Sequence, residues 1–120
     1  MGLKATLHVR PVARDDIISF YGKPYDASMK GVVVESDGEI LGIAGVLHTS
    51  PLQAFGSMKA ELKNHKKYII LVARKMRDIL NSYDYPVYAS ASEKEENSMS
   101  FLEYVGFEHM YKRIYKWPTQ

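Results

Sequence analysis

The chain has 120 residues, which fits one domain with one hydrophobic core. Hydrophobic residues make up 46% and charged residues 25%, a globular composition that argues against disorder. The net charge of +2, from 16 basic and 14 acidic residues, is too balanced for a protein dedicated to nucleic acids or membrane surfaces. The absence of cysteine excludes disulfides, a thiol nucleophile and a thiolate metal site. No signal peptide or membrane-spanning run is evident, so we expect a cytoplasmic location.

The first quarter of the chain predicts a strand, a short helix and a loop. Residues 6–12, TLHVRPV, alternate aliphatic and polar residues up to Pro11, which is typical of an edge strand that ends at a proline. The segment ARDDIISFYG has acidic residues near its start and Gly22 after its end, and both features favour a short helix. Residues 22–31 are rich in turn-forming residue types and predict a loop.

The clearest local pattern is a β-hairpin. Residues 32–36 and 39–48 are rich in β-branched and aliphatic types, and Asp37-Gly38 joins them. That dipeptide favours a tight turn with positive φ, so the two runs are predicted to pair antiparallel. Gly42 and Gly45 lie inside the second run, where they indicate close backbone approach or a bulge.

The second half of the chain predicts two helices that alternate with strands. Residues 51–58, PLQAFGSM, indicate a strand, and residues from about 58 to 82 carry aliphatic side chains at helical spacing. YPVYASAS predicts a strand entered by Pro86. Ser92 and Glu95 form a capping-box pattern before a short helix that ends at Gly106, and FEHMYKRIYKW predicts a terminal strand. The order is β-α-β-β-β-α-β-α-β, which predicts a single α+β domain over residues 1–120 with a mixed, mostly antiparallel sheet flanked by helices.

Two segments resemble the GNAT N-acetyltransferase superfamily. ESDGEILGIAGV is similar to its middle hairpin, and SFLEYVGFEHMYKRIYKW is similar to its last helix and strands. The resemblance implies two splayed central strands that hold acetyl-CoA, with the phosphates at the start of the long helix. It also implies an amine acceptor that attacks the thioester, a base for the amine proton and a tyrosine that protonates the leaving thiolate.

The candidate site residues lie on five segments. The strand over residues 53–58 would contact acetyl-CoA, chiefly through Phe55, Gly56 and Ser57, and the start of the long helix would hold the phosphates through Lys63, His65, Lys66, Lys67 and Tyr68. Glu35 and His48 are candidate bases at strand ends, and Tyr104 is a candidate acid. The two candidate bases have alternative interpretations. Glu35 would also be explained as a solvated carboxylate beside a turn, and His48 as a surface histidine at a strand end. His8 and His109 fit structural roles, and the four histidines lie too far apart in sequence to indicate a metal site.

The chain departs from the GNAT pattern at two places. The family's glycine-rich phosphate loop falls on ELKNHKKY, where Leu62, His65 and Lys67 occupy the signature positions and no glycine is present. Lysine side chains are the alternative means of holding phosphates there. The family's tyrosine falls on Leu102 and its asparagine on Glu95, while Tyr104 lies about 200° around the helix from Leu102.

These departures leave a second hypothesis open. The sequence is also similar to a group of small GNAT-like internal virion proteins of short-tailed bacteriophages, through LKNHKKYIILVARKM, Tyr83-Asp84 and Phe101-Leu102. That resemblance implies a catalytically inactive component with a virion or host protein as partner. A homodimer is a further alternative, whereas a membrane partner is not expected and nucleic acid is disfavoured.

Overall fold

A computed structural model describes residues 7–23, 28–91 and 98–118 of the chain. Seven strands form one sheet: β1 Leu7–Pro11, β2 Met29–Ser36, β3 Glu39–Leu47, β4 Leu52–Met58, β5 Val87–Ser90, β6 Glu108–Tyr111 and β7 Ile114–Lys116. Three α-helices and a 3-10 helix accompany them: α1 Arg14–Tyr21, α2 Lys66–Asn81, α3 Ser98–Val105 and the 3-10 helix Ala60–Asn64. The strand order is β1-β2-β3-β4-β5-β7-β6, with β4 and β5 parallel and the other neighbours antiparallel. The α+β fold class predicted from the sequence is confirmed.

The central hairpin forms where the sequence predicted it. β2 and β3 pair antiparallel and close at Ser36 opposite Glu39. Between them Asp37 and Gly38 have φ values of 50° and 84°, the left-handed backbone that this turn requires. Gly45 marks a close approach to β2, because a Cβ there would lie 2.5 Å from the Lys30 carbonyl oxygen.

The long helix begins later than the sequence indicated. The helical spacing suggested a start near residue 58, but β4 extends to Met58 and α2 begins at Lys66. The 3-10 helix between them turns Leu62 into the core, where it is 2% exposed. The Leu62 side chain occupies the space over Gly42 of β3, since a Cβ on that glycine would lie 2.6 Å from Leu62 Cδ2. Tertiary packing of one leucine therefore overrides the local helical pattern.

The predicted terminal strand is divided into two strands. β6 and β7 form an antiparallel hairpin that turns at Lys112, which has φ 49°. A lysine in the left-handed region carries no turn signal in the sequence, so the alternating pattern looked continuous. α3 ends at Val105, and Gly106 follows it with φ 125°, so the helix stops where its sequence indicated. The capping-box residues Ser92 and Glu95, like Thr6 at the predicted start of the first strand, lie outside the described residues.

The sheet has an apolar layer on each face, because successive strand side chains point to opposite sides. On one face Val33, Ile40 and Ile43 pack with Ile17 of α1. The other face is larger and packs against α2 and α3, with a cluster that includes Val34, Ala44, Val46, Met76, Leu80, Val105 and Phe107. In the described part of the chain, no helix has both the length and the apolar character that crossing a bilayer needs.

Candidate functional site

The parallel strands β4 and β5 pair at one end and then separate. Their register covers two positions, Leu52 opposite Val87 and Gln53 opposite Tyr88. Beyond those positions β4 continues to Met58 on β3 alone, while Ala89 and Ser90 of β5 pair with β7 on their other side. The sheet therefore opens into a cleft between residues 54–58 of β4 and the end of β5.

A cavity of about 460 Å³ lies in this cleft and continues between the sheet, α2 and α3. Its walls come from every element that borders the cleft. The sheet contributes Val32, Val34, Gly42, Ile43, Ala44, Ala54, Phe55, Gly56, Ser57, Met58, Ala89 and Ser90; the helices and the segments beside them contribute Leu62, Lys63, Lys66, Ile69, Val72, Met76, Ser100, Phe101, Leu102, Tyr104, Val105 and Phe107.

Small residues on the sheet leave this space open. Ala44, Ala54, Gly56 and Ala89 all line the cavity, in a layer where valine and leucine are otherwise common. At Gly56 a Cβ would meet nothing closer than 3.6 Å, and the nearest atom is the Ala44 Cβ. Gly56 is therefore not needed for close packing within the protein, and its missing side chain adds directly to the cavity.

The edge of β4 presents main-chain groups to the cleft. The Lys59 N–H donates to the Leu41 carbonyl over 2.8 Å, one position beyond the last register pair, Gly42 opposite Met58. In an antiparallel pair such hydrogen-bonded positions alternate with positions whose main-chain groups point away from the partner strand. Ala54, Gly56 and Met58 are at the alternate positions, so their N–H and C=O groups point toward the gap beside β5.

Two lysines bring positive charge to the cavity. Lys63 and Lys66 line it, and no carboxylate of the described residues lies within ion-pair distance of either. Lys59 differs, because its Nζ lies 2.9 Å from Glu39 Oε2. Lys66 is also the first residue of α2, whose N-cap His65 makes no side-chain capping bond. The start of α2 therefore combines two ammonium groups with the positive end of a helix dipole, an arrangement that favours an anion.

Six of the predicted site residues lie at the cavity: Phe55, Gly56, Ser57, Lys63, Lys66 and Tyr104. The rest of the predicted phosphate segment lies outside its lining. The rings of His65 and Tyr68 contact each other with centroids 6.2 Å apart, and Lys67 Nζ lies 5.5 Å from the Tyr68 ring centre. These three residues form a small cluster of their own beside the start of α2.

Glu35 lies away from the cavity in an ion-pair network. Arg10 donates to Glu35 Oε1 over 2.9 Å and to both carboxylate oxygens of Asp16 over 2.8 Å. The hydrogen bonds from Arg10 hold the pKa values of both carboxyl groups below their usual range. Asp16 is buried and also accepts the Ala13 N–H. The network joins β1, α1 and β2, and it gives Glu35 a structural task.

His48 also lies outside the cavity lining. Its Nδ1 is 2.8 Å from Ser28 Oγ and its Nε2 is 2.8 Å from the Tyr83 hydroxyl. Partial burial raises the pKa of Tyr83. His48 thus links the region before β2 to the end of α2, and the structure does not bring it together with Glu35 or Tyr104 at one site.

Tyr104 and Leu102 both line the cavity, although the helical wheel separates them. Tyr104 is half exposed, and the Arg77 guanidinium lies 5.5 Å from its ring centre. The lining contains no carboxylate and no imidazole among the described residues. Elsewhere in the described ranges, no three His, Asp or Glu side chains are grouped so that they could hold a metal ion.

The sequence did not reveal two features of the cavity, its wall on α2 and the small residues on the sheet. Ile69, Val72 and Met76 of α2 follow ordinary core spacing, and Ala44 and Ala89 are common core types. The run of small residues on neighbouring strands was the available signal, but it becomes visible only once the strand register is known.

Comparisons with known proteins identify the fold. No family model matches the sequence, and no curated protein sequence matches it either. Among solved structures, the ribosomal-protein-S18-alanine N-acetyltransferase from Escherichia coli superposes with a TM-score of 0.68 at 10% identity, covering 94% of each chain. An acetyltransferase from Agrobacterium tumefaciens gives a TM-score of 0.60 at 14% identity, covering 98% of this chain and 94% of that one. The strand order, the split between β4 and β5 and these superpositions together show that the chain has a GNAT-like fold.

Proposed function

We propose that the protein binds acetyl-CoA in the cleft between β4 and β5 and transfers the acetyl group to an amine. One observation carries the proposal: the two strands separate after two paired positions, and the gap holds an apolar cavity that reaches Lys63 and Lys66 at the start of α2. An elongated ligand with an apolar arm and an anionic end suits such a cavity.

The residues present fit this ligand, with one change from the usual phosphate loop. His65 and Lys67 occupy the positions at which the family's loop has glycine, so side chains stand where main-chain amides would otherwise approach a pyrophosphate. We therefore assign part of the phosphate binding to the ammonium groups of Lys63 and Lys66, which bind phosphate as point charges. The first amides of α2 remain available beside them, because the His65 side chain does not cap them.

Bound acetyl-CoA would supply a thioester whose carbonyl carbon accepts the amine nitrogen. As that bond forms, the carbon–sulfur bond breaks, the amine loses a proton and the sulfur gains one. A main-chain N–H of the β4 edge, at Gly56 or at Met58, would donate to the thioester carbonyl oxygen and would favour the negative charge that develops there. Tyr104 would give its hydroxyl proton to the sulfur and, being half exposed, would regain one from solvent. The amine proton leaves to solvent, since the described lining offers it no carboxylate or imidazole.

A calorimetric titration with acetyl-CoA tests binding. We expect saturable binding, and a thermal shift equivalent to about 2.7 kcal/mol at a ligand concentration one hundred times the dissociation constant. Gly56→Val should abolish binding without unfolding the protein, because the new side chain enters the cavity and meets no close atom at its Cβ. A Lys63→Gln, Lys66→Gln double variant should bind at least tenfold more weakly. The proposal fails if millimolar acetyl-CoA produces neither heat nor a thermal shift with the unmodified protein.

A second candidate function is a ligand-binding module without catalysis, with a virion or host protein as its partner. The observation that favours it is Leu102 at the cavity position where the GNAT pattern has a tyrosine, in a lining without a base among the described residues. Tyr104→Phe separates the two candidates, because loss of a general acid lowers the rate roughly a hundredfold or more. Acetylation of a panel of amines by the unmodified protein, lost in Tyr104→Phe with acetyl-CoA affinity unchanged, supports the enzyme. Tight binding without any turnover supports the second candidate.

A further inference from the structure

We propose that the cavity accepts a medium-chain acyl group, such as octanoyl, carried on the same thioester. The inference rests on the proposed function and concerns the part of the cavity that an acetyl group would not reach. That part is bounded by three elements: β2, β3 and the middle of α2.

The cavity is long in the direction of α2. Lys66, Ile69, Val72 and Met76 all line it, and they recur at intervals of three or four residues along one face of the helix. Ten residues separate Lys66 from Met76, which corresponds to about 15 Å along a helix axis. The two lysines lie near the start of this stripe, so the cavity extends from a charged end to an apolar one.

The cavity is also wide across the sheet. Its floor crosses from Ala89 of β5 over Gly56 and Ala44 to Val32 and Val34 of β2. Neighbouring strands lie about 4.8 Å apart, so the floor reaches about 10 Å beyond β4, whose edge would hold the thioester. An acetyl group ends in a single methyl next to that edge, and it leaves the floor formed by β3 and β2 without a contact.

The chemistry of this deep region selects an apolar chain. Every side chain that β2, β3 and the stretch of α2 from Ile69 onward contribute to the lining is aliphatic or methionine, apart from glycine. The hydroxyl groups of the lining lie elsewhere, on Ser57, Ser90, Ser100 and Tyr104 near the cleft and α3. A polar acceptor substrate would lose its hydration in the deep region without gaining hydrogen bonds, whereas an alkyl chain would gain from burial.

A series of CoA thioesters tests the inference. We expect calorimetric affinity to rise from acetyl- through butyryl- and hexanoyl- to octanoyl-CoA, approaching fourfold for each methylene that becomes buried. Free CoA and sodium octanoate, tested alone, should bind more weakly than octanoyl-CoA. If acetyl-CoA binds as tightly as octanoyl-CoA, this inference is overturned and the proposed function stands. If no CoA species binds, or octanoate alone accounts for the affinity, both are overturned.

Two substitutions locate the effect in the deep region. Val34→Phe adds four carbons to the floor on β2, two strands away from the β4 edge, and Val72→Leu adds one carbon to the α2 wall. We expect Val34→Phe to remove the gain from acetyl- to octanoyl-CoA and leave acetyl-CoA affinity within twofold. Val72→Leu, the milder change, should reduce the same gain in part and serves if Val34→Phe fails to fold. An unchanged chain-length dependence in a folded Val34→Phe or Val72→Leu variant overturns the proposed location of the acyl chain, and with it the inference.

Discussion

The two halves of the sheet differ in how they use backbone and charge. In the half formed by β1, β2 and β3 with α1, the strands pair along their whole described length, and Arg10 satisfies both Asp16 and Glu35. In the cleft half, β4 and β5 pair at two positions only, and Lys63 and Lys66 have no carboxylate partner among the described residues. In the first half the charged side chains stabilise the fold, whereas in the cleft half the main-chain groups of β4 and the two ammonium groups stay available to a ligand.

The same contrast holds for glycine. Gly45 of β3 is packed so closely against β2 that a Cβ would overlap main-chain atoms, whereas a Cβ on Gly56 of β4 would make only ordinary contacts, at 3.6 Å or more. The two glycines are on adjacent strands, one register position apart. The contrast shows that the residue type does not distinguish the two roles, and that only the neighbouring atoms separate a packing glycine from one that leaves room for a ligand.

Replacing each of these glycines with alanine gives the largest expected difference. Gly45→Ala should lower the free energy of unfolding by about 3 kcal/mol, because backbone atoms 2.5 and 2.9 Å from the new Cβ have to move. Gly56→Ala should raise it by about 0.5 kcal/mol, since alanine restricts the unfolded chain and meets ordinary contacts in the folded one. Urea denaturation of the two variants measures both values. Equal losses at the two positions would contradict the contrast between the halves.

Removal of Arg10 is expected to have the next largest effect. Arg10→Met leaves the buried Asp16 carboxylate with the Ala13 N–H as its remaining described donor, and it should lower stability at neutral pH by about 2 kcal/mol. Leu7→Met, also on β1, serves as a control for a change in that strand without loss of charge. A loss in Arg10→Met no greater than that in Leu7→Met would show that the network contributes little.

The pH dependence of the same variant follows from the lowered pKa values of Asp16 and Glu35. Both groups bind protons less readily in the folded protein than in the unfolded chain, so their contribution is fully present above the unfolded values, roughly pH 4. It is lost as the pH falls through the lower, folded values. The difference in stability between the unmodified protein and Arg10→Met should therefore be constant near neutral pH and shrink below about pH 4. A difference that grows in acid would contradict the assignment.

Much of the fold was predictable because its determinants are local. The Asp37-Gly38 turn, the alternating strands and the helix end at Gly106 are each encoded within a few neighbouring residues. The predictions were wrong where a distant contact, or a backbone conformation unusual for the residue type, decides the local structure. The start of α2 depends on Leu62 packing over Gly42, and the final hairpin depends on Lys112 adopting a backbone conformation that its residue type does not favour.

The candidate site was less predictable than the fold, because proximity between segments decides it. Lys63, Lys66 and Gly56 were identified through the family resemblance and do line the cavity. Glu35 and His48 were identified as polar residues at strand ends, but their partners Arg10 and Tyr83 lie far away in sequence. Those partners, which explain each side chain without catalysis, are visible only in the folded structure.

The smallest expected change in stability concerns the lysines at the start of α2. It tests whether Lys66 serves ligand binding at a cost in stability. A cation there opposes the helix dipole, so Lys66→Glu should raise the free energy of unfolding by about 0.5 kcal/mol. Lys67→Glu is the matched control, because Lys67 occupies the next position of the same helical turn but lies outside the cavity lining. Both variants should gain stability in urea denaturation, whereas Lys66→Glu alone should weaken acetyl-CoA binding by tenfold or more. If the two variants bind acetyl-CoA equally well, then Lys66 contributes no more to the ligand than a solvated lysine does, and the cleft half loses the charge that sets it apart.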